Sequence, residues 1–272
     1  MRIDLLCLSG CIIACLAGVT NAAHSLSNSL TGFTGDSTQA GTQAAVAAAG
    51  LNFFTTAGLN EAVTFDSSGA HFGSLSPGDA GRNYMRTNHD RYALSLGFVA
   101  EITYEVATDD QNVFIGLGAG DTALFGTPDW STQFSSASFW PETANDKFVR
   151  FRTFNDMNNF GDTGIVGGYD PGTHRFRMSF DASTDQLRGE IDVNYAGGPF
   201  VADAMTLNFP HVLTSLYGPD GWPGEPSRIF FGGDDGVIFR DLSITIVPEP
   251  GAVALMILGF AAISGRRFRA VR

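Results

Sequence analysis

The sequence predicts an all-β protein, an antiparallel β-sandwich, and three observations predict it. Apolar and polar residues alternate with period two over several stretches, the pattern of strands with one buried face. Glycine is abundant, at 33 residues, and Asp far outnumbers Glu, which supplies turns between those stretches. Residues that favour long helices are scarce: Lys147 is the one lysine, whereas 23 Phe suit pleated, half-buried surfaces.

Taken in chain order, the first regular segment is Ala40–Ala49, Ala-rich but too short to be a stable helix alone. Shorter strands are expected at Leu51–Thr56, Glu61–Asp66 and Asn83–Arg86. From Phe98 to Val106, Phe98, Ala100, Ile102, Tyr104 and Val106 alternate with Val99, Glu101, Thr103 and Glu105. Val113, Ile115 and Leu117 would make its hairpin partner across the turn at Thr108–Gln111. Lys147–Phe154 is another short strand. The clearest hairpin follows. His174, Phe176, Met178 and Phe180 share one face, the turn is Asp181–Asp185, and Leu187, Gly189, Ile191 and Val193 return. Arg228–Phe231 leads to a closing strand, Val237–Val247, with Ile238, Leu242, Ile244 and Ile246 expected on one face.

The two ends differ from this body. Residues 1–22 have the three parts of a secretory signal peptide: Arg2, an apolar run from Leu5 to Val19, and small residues Thr20 and Ala22 before a cut. The quartets ending at Cys11 and Cys15 also resemble a lipoprotein box, but the apolar run continues past both. At the other end, Val247-Pro248-Glu249-Pro250 precedes an apolar stretch, 251–264, and then Arg266, Arg267 and Arg269. That stretch is shorter than the ~20 residues a permanent span prefers, so it suits a transient membrane stop with a cytoplasmic arginine cluster. The tail resembles the PEP-CTERM sorting signals, by motif, apolar segment and Arg-rich end in that order. The resemblance implies processing by an exosortase of an exopolysaccharide-producing Gram-negative bacterium; the alternative is a plain C-terminal anchor. Three units follow: 1–22 signal peptide, 23–247 β-sandwich domain, 248–272 sorting tail, with a signal helix and a short hydrophobic helix flanking the sandwich.

The body also resembles the concanavalin A-like jelly roll of lectins, laminin-G-type modules and laminarinase-like glucanases. The residues behind this are the hairpin Thr173–Tyr195, Gly197-Gly198-Pro199-Phe200 after it, and Arg228-Ile229-Phe230-Phe231-Gly232-Gly233 before the closing strand. The resemblance implies that the last strand lies beside the first. Laminarinase-like enzymes carry Glu, Asp and Glu at alternate positions of one strand. Here Glu190 would match the nucleophile and Asp192 the middle carboxylate, but Asn194 occupies the acid/base position. An amide cannot protonate a leaving group, so retaining hydrolysis is broken at its first step. The plainer expectation is that Glu190 and Asp192 are solvent-facing positions of an amphipathic strand.

Charge and cysteines narrow the function further. The formal net charge is -12, and the basic tail masks a still more acidic body. Such a surface repels phosphate backbones, so nucleic acid is excluded as a partner. Cys7, Cys11 and Cys15 all lie in the leader, leaving the body without disulfides. Asp109-Asp110-Gln111-Asn112 and Gly233-Asp234-Asp235-Gly236 offer oxygen ligands without the spacing of a calcium loop. The histidines lack metal-ligand spacing; no cofactor is expected, with calcium the one candidate. Trp130, Trp140, Tyr217 and Trp222 sit in or near Gly/Pro-rich segments, where aromatic faces can stack on sugar rings. With Glu190 and Asp192 they are the candidate glycan contacts. The expectation is a non-catalytic, exported surface or matrix protein that contacts extracellular polysaccharide, with signal peptidase and exosortase as partners during export. The alternatives are a laminarinase-like hydrolase and a purely structural matrix protein.

Overall fold

The computed structural model describes residues 25–55, 62–73, 83–87, 97–108, 113–119, 136–142, 148–153, 160–162, 166–210, 227–233 and 236–247. In chain order the strands are β1 (Leu26–Ser29), β2 (Gly35–Asp36), β3 (Leu51–Thr55), β4 (Thr64–Asp66), β5 (Gly69–His71) and β6 (Asn83–Thr87). They continue with β7 (Phe98–Val106), β8 (Val113–Ala119), β9 (Ser136–Glu142), β10 (Phe148–Thr153) and β11 (Phe160–Asp162). The last five are β12 (Gly172–Asp181), β13 (Gln186–Asp192), β14 (Ala204–Pro210), β15 (Ser227–Gly233) and β16 (Ile238–Ile246). Helix α1 (Ala40–Ala48) buries Thr42 and Val46, and the Asn28 amide donates to Ala49 O at its C-terminus. Packing and this bond hold a helix that its own length could not.

The strands form two antiparallel sheets. The larger runs β14-β13-β12-β7-β16-β5-β4-β2, with β1 also on β16; the smaller runs β11-β10-β9-β8-β15-β6-β3. Between them lies one core, drawn from the inward-facing half of each alternation: Phe98, Ile102, Phe176, Ile191 and Leu242 from the larger sheet meet Ile115, Phe139, Ile229 and Phe231 from the smaller. β1 pairs with β16, Leu26 opposite Ile244, so the last strand lies beside the first as expected. The β12–β13 hairpin also forms as expected, Phe176 opposite Ile191. Its turn is fixed by Asp181, whose carboxylate accepts from the backbone N–H and hydroxyl of Ser183. Those bonds hold its pKa below the usual carboxylate value.

Two expectations are corrected. β7 and β8 are not a hairpin. β12 and β16 occupy both edges of β7, and β8 instead pairs with β9 and β15 in the other sheet. The face of β16 also changes part-way. A register shift between Phe239 and Asp241 turns Phe239 into the core before it and Leu242 and Ile244 after it, which puts Ile238 on the outer face. The smaller sheet has a further apolar layer: Tyr84, Phe114 and Phe230 alternate with core residues yet are fully buried, and the Tyr84 and Phe114 rings lie 6.4 and 6.2 Å from that of Phe230.

Among the described residues no helix is long and apolar enough to cross a membrane. The expected leader 1–22 and tail 248–272, with their helices and with Pro248, Glu249, Pro250, Arg266, Arg267 and Arg269, lie outside the described residues. Val247 is exposed, and its N–H donates to Gly97 O.

Candidate functional site

Register aligns polar residues of five strands across the outer face of the larger sheet. One row reads Glu190, Arg177, Glu101, Ser243, Ser27; the next reads Asp192, Arg175, Thr103, Asp241, Ser29. Across β13, β12 and β7 the first row alternates acid, base, acid, the arrangement that cross-strand pairing favours. Glu101 is the hub: one carboxylate oxygen bonds Arg177 at 2.5 Å and the other bonds Arg175 at 2.7 Å. Arg188 holds Glu190 at 2.8 Å, with Arg177 4.0 Å from its other oxygen.

Residues 193–203 fold back over this face. The Arg175 guanidinium donates to Tyr195 Oη at 2.7 Å and lies 5.0 Å from that ring's centre. Arg177 stacks 3.9 Å over Phe200. Tyr195 in turn donates to Gly198 O, and Asp192 accepts the Val201 N–H. The arginines thus carry aromatic rings on a charged sheet, where cation–π attraction adds to ion pairing.

Beneath the loop, His174 is fully buried. The Asn194 N–H donates to its Nδ1 at 3.2 Å, so Nε2 carries the proton and donates to Asp170 O at 2.9 Å. Its ring lies 4.5 Å from Tyr169 and 5.7 Å from Tyr104, whose hydroxyls meet at 3.0 Å. Burial pushes the His174 pKa down to about 4, with the Asp192 charge opposing the shift. Burial likewise raises Tyr104. Both stay neutral near pH 7, a structural knot between two loops.

Beside Tyr195 the outer face opens into a groove of ≈ 270 Å³ crossing β12, β7, β16 and β1. Ser27, Glu101, Thr103, Arg175, Asp241 and Ser243 line it, so hydroxyls, carboxylates and a guanidinium converge beside one aromatic ring.

The sequence-predicted residues fall unevenly on this geometry. Glu190 and Asp192 do lie on the outer face, but they are not solvent-facing: the Glu190 side chain is 13% exposed and Asp192 is buried. Arginines and the returning loop cover them. Asn194 is not on the strand. β13 ends at Asp192, and Asn194 has φ 54°, its amide donating to Gly168 O. The strand therefore offers no position beyond Asp192 in line with it and Glu190. Trp140 is in β9 opposite Arg150; Trp130, Tyr217 and Trp222 lie outside the described residues, as do Asp109–Asn112 and Asp234–Asp235. Among the described residues no three His, Cys, Asp or Glu side chains converge as a metal site. Glu101, Arg175, Tyr195 and Asp241 were missed. For Glu101 and Arg175 the signal was the polar half of each alternation, opposite in sign on neighbouring strands; Asp241, opposite Thr103 and Ser29, and Tyr195, in the loop beyond β13, had none.

No family model matches the chain, and no curated protein matches it. Solved structures do. Lectin II from Ulex europaeus shares 11% identity at TM-score 0.50, over 73% of this chain and 93% of its own. Winged bean acidic lectin, solved with methyl-α-D-galactose, shares 8% at 0.51, over 82% and 99%. The Emp46p carbohydrate recognition domain shares 13% at 0.52, over 81% and 95%. The fold is a concanavalin A-like β-sandwich. At such identities the likeness extends to architecture, and the groove has to be read from its own residues.

Proposed function

We propose that this protein binds glycan without catalysis at the cell surface or in an exopolysaccharide matrix of a Gram-negative bacterium. The observation that carries the reading is the outer-face groove, where hydroxyls, paired charges and the Tyr195 ring converge on a lectin-type sandwich. Sugars are held by such mixtures: polar groups fix the hydroxyls while an aromatic ring packs on the C–H face. Two of the similar structures are a lectin bound to a galactoside and a carbohydrate recognition domain, which supports the same class of ligand. The non-catalytic part rests on Glu190, bound by Arg188 with Arg177 beside it, and on Asn194, an amide that leaves the strand where an acid/base carboxylate would be needed. Export by signal peptidase, sorting by exosortase and loss of residues 1–22 and of the segment after Pro250 belong to the same proposal. They rest on the sequence of the two ends.

A glycan array probed with the purified protein, with and without calcium, tests the binding. Saturable binding independent of calcium is expected; release of shortened oligosaccharides would overturn the non-catalytic reading. Intact-mass measurement of the exported protein tests the processing, and a mature form that keeps Gly251–Arg272 would reduce the tail to an anchor.

A further inference from the structure

The charges in the groove say which glycans it takes. Its one lining arginine is already committed. Arg175 gives one terminal nitrogen to Glu101 and the other to Tyr195 Oη, and its guanidinium lies against the Tyr195 ring. Beyond it in the same row stands Asp192, a further negative charge. Asp241 is different. It sits on β16 between Thr103 and Ser29, is exposed, and among the described residues has no hydrogen-bond or ion-pair partner. Its neighbour Arg240 is taken by Glu105. Among the described residues the lining therefore holds one unpaired carboxylate, Asp241, beside the ion pairs of Glu101 with Arg175 and Arg177, on a protein of net charge -12.

We infer that the groove is a subsite for one or two uncharged hexose units, and that uronic-acid and sulfated polysaccharides are excluded from it. This rests on the glycan-binding reading and narrows it to a ligand class. A free carboxylate is an acceptor with two oxygens, matched to a pair of adjacent sugar hydroxyls that both donate. The hydroxyls of Ser27, Thr103 and Ser243, none with a partner among the described residues, can donate to or accept from the remaining ligand oxygens. The size fits: the groove is smaller than the pockets that hold drug-sized ligands. A uronate or sulfate would bring its charge to Asp241 with no free cation among the described lining residues to answer it, and discrimination by such repulsion is a common source of specificity. Long-range repulsion would also slow its approach.

The test titrates the full-length protein with neutral gluco-, galacto- and manno-oligosaccharides and with oligouronates of matched length, by calorimetry. Neutral oligomers are expected to bind, with oligouronates at least about tenfold weaker. Asp241→Asn should lower affinity for the neutral ligand about tenfold, since a hydrogen bond to a charged acceptor is lost, while the melting temperature of this exposed site stays unchanged. Asp241→Lys should abolish neutral binding and admit oligouronates. Neutral binding untouched by Asp241→Asn, or oligouronates bound as tightly as neutral oligomers and weakened by Asp241→Lys, would overturn this inference and leave glycan binding standing. Binding of neither class would overturn both.

Discussion

Acidification should weaken the fold through His174. In the folded protein both ring nitrogens are committed, Nδ1 to the Asn194 N–H and Nε2 to Asp170 O, and burial holds the pKa at about 4. In the unfolded chain the same ring titrates near the ordinary value of 6.5. Between those two values the unfolded state binds the extra proton. Stability is therefore at its full value above pH 6.5, falls as pH drops toward 4, and changes no further from this group below that. One pKa unit corresponds to about 1.4 kcal/mol, so the whole shift sets an upper limit of about 3 kcal/mol. Asp36, Asp66 and Asp181 are held below their ordinary value of 3.8 and lose their contributions only below it. Urea unfolding at half-unit steps from pH 7 to 4.5 reads the slope, with His174→Gln as control because an amide offers a donor and an acceptor that do not titrate. A flat profile, or the same slope in His174→Gln, would refute the argument.

Ile191→Ala, which empties a fully buried position, should cost about 2–5 kcal/mol in urea unfolding. Glu190→Gln should cost about 1–2 kcal/mol, more than a solvent-facing carboxylate would, because Arg188 and Arg177 lose a half-buried partner. Gly69→Ala should lower stability by at least about 2 kcal/mol: at φ 139° its new Cβ would stand 2.2 Å from Phe239 O, and β16 cannot give way there without losing its pairing with β5. With no cysteine beyond Cys15, the melting temperature of the processed protein should be the same with and without dithiothreitol.

Most of the sandwich was legible because alternation records one buried face strand by strand. His174, Phe176, Met178 and Phe180 announced β12, and Leu187, Gly189 and Ile191 announced its partner. What alternation does not record is which edges are free. β7 and β8 are adjacent in sequence and equally apolar, and only the competing pairs to β12 and β16 send them to different sheets. One extra residue in β16 moved Ile238 to the opposite face without a trace in composition. The groove was less legible still. Its residues come from β1, β7, β12, β16 and the loop beyond β13, and each is an ordinary polar position until register brings them together. The Glu190–Asp192–Asn194 spacing misled for a local reason. Period two holds only while the strand lasts, and this one stops at Asp192.

The place of β16 also sets the order in which the molecule can be assembled. β7, β5 and β1 all pair with it, although each is synthesised long before residues 238–246. Until those residues arrive, one flank of β7 has nothing to bind and the large sheet stays split into fragments. A chain growing from its N-terminus is accordingly held open until the body is almost finished, and its many distant pairings make final closure slow. An open chain can be threaded through a narrow channel, whereas a closed sandwich cannot. Deleting residues 238–246 would leave a polypeptide that never closes and keeps three unsatisfied strand edges exposed to its neighbours.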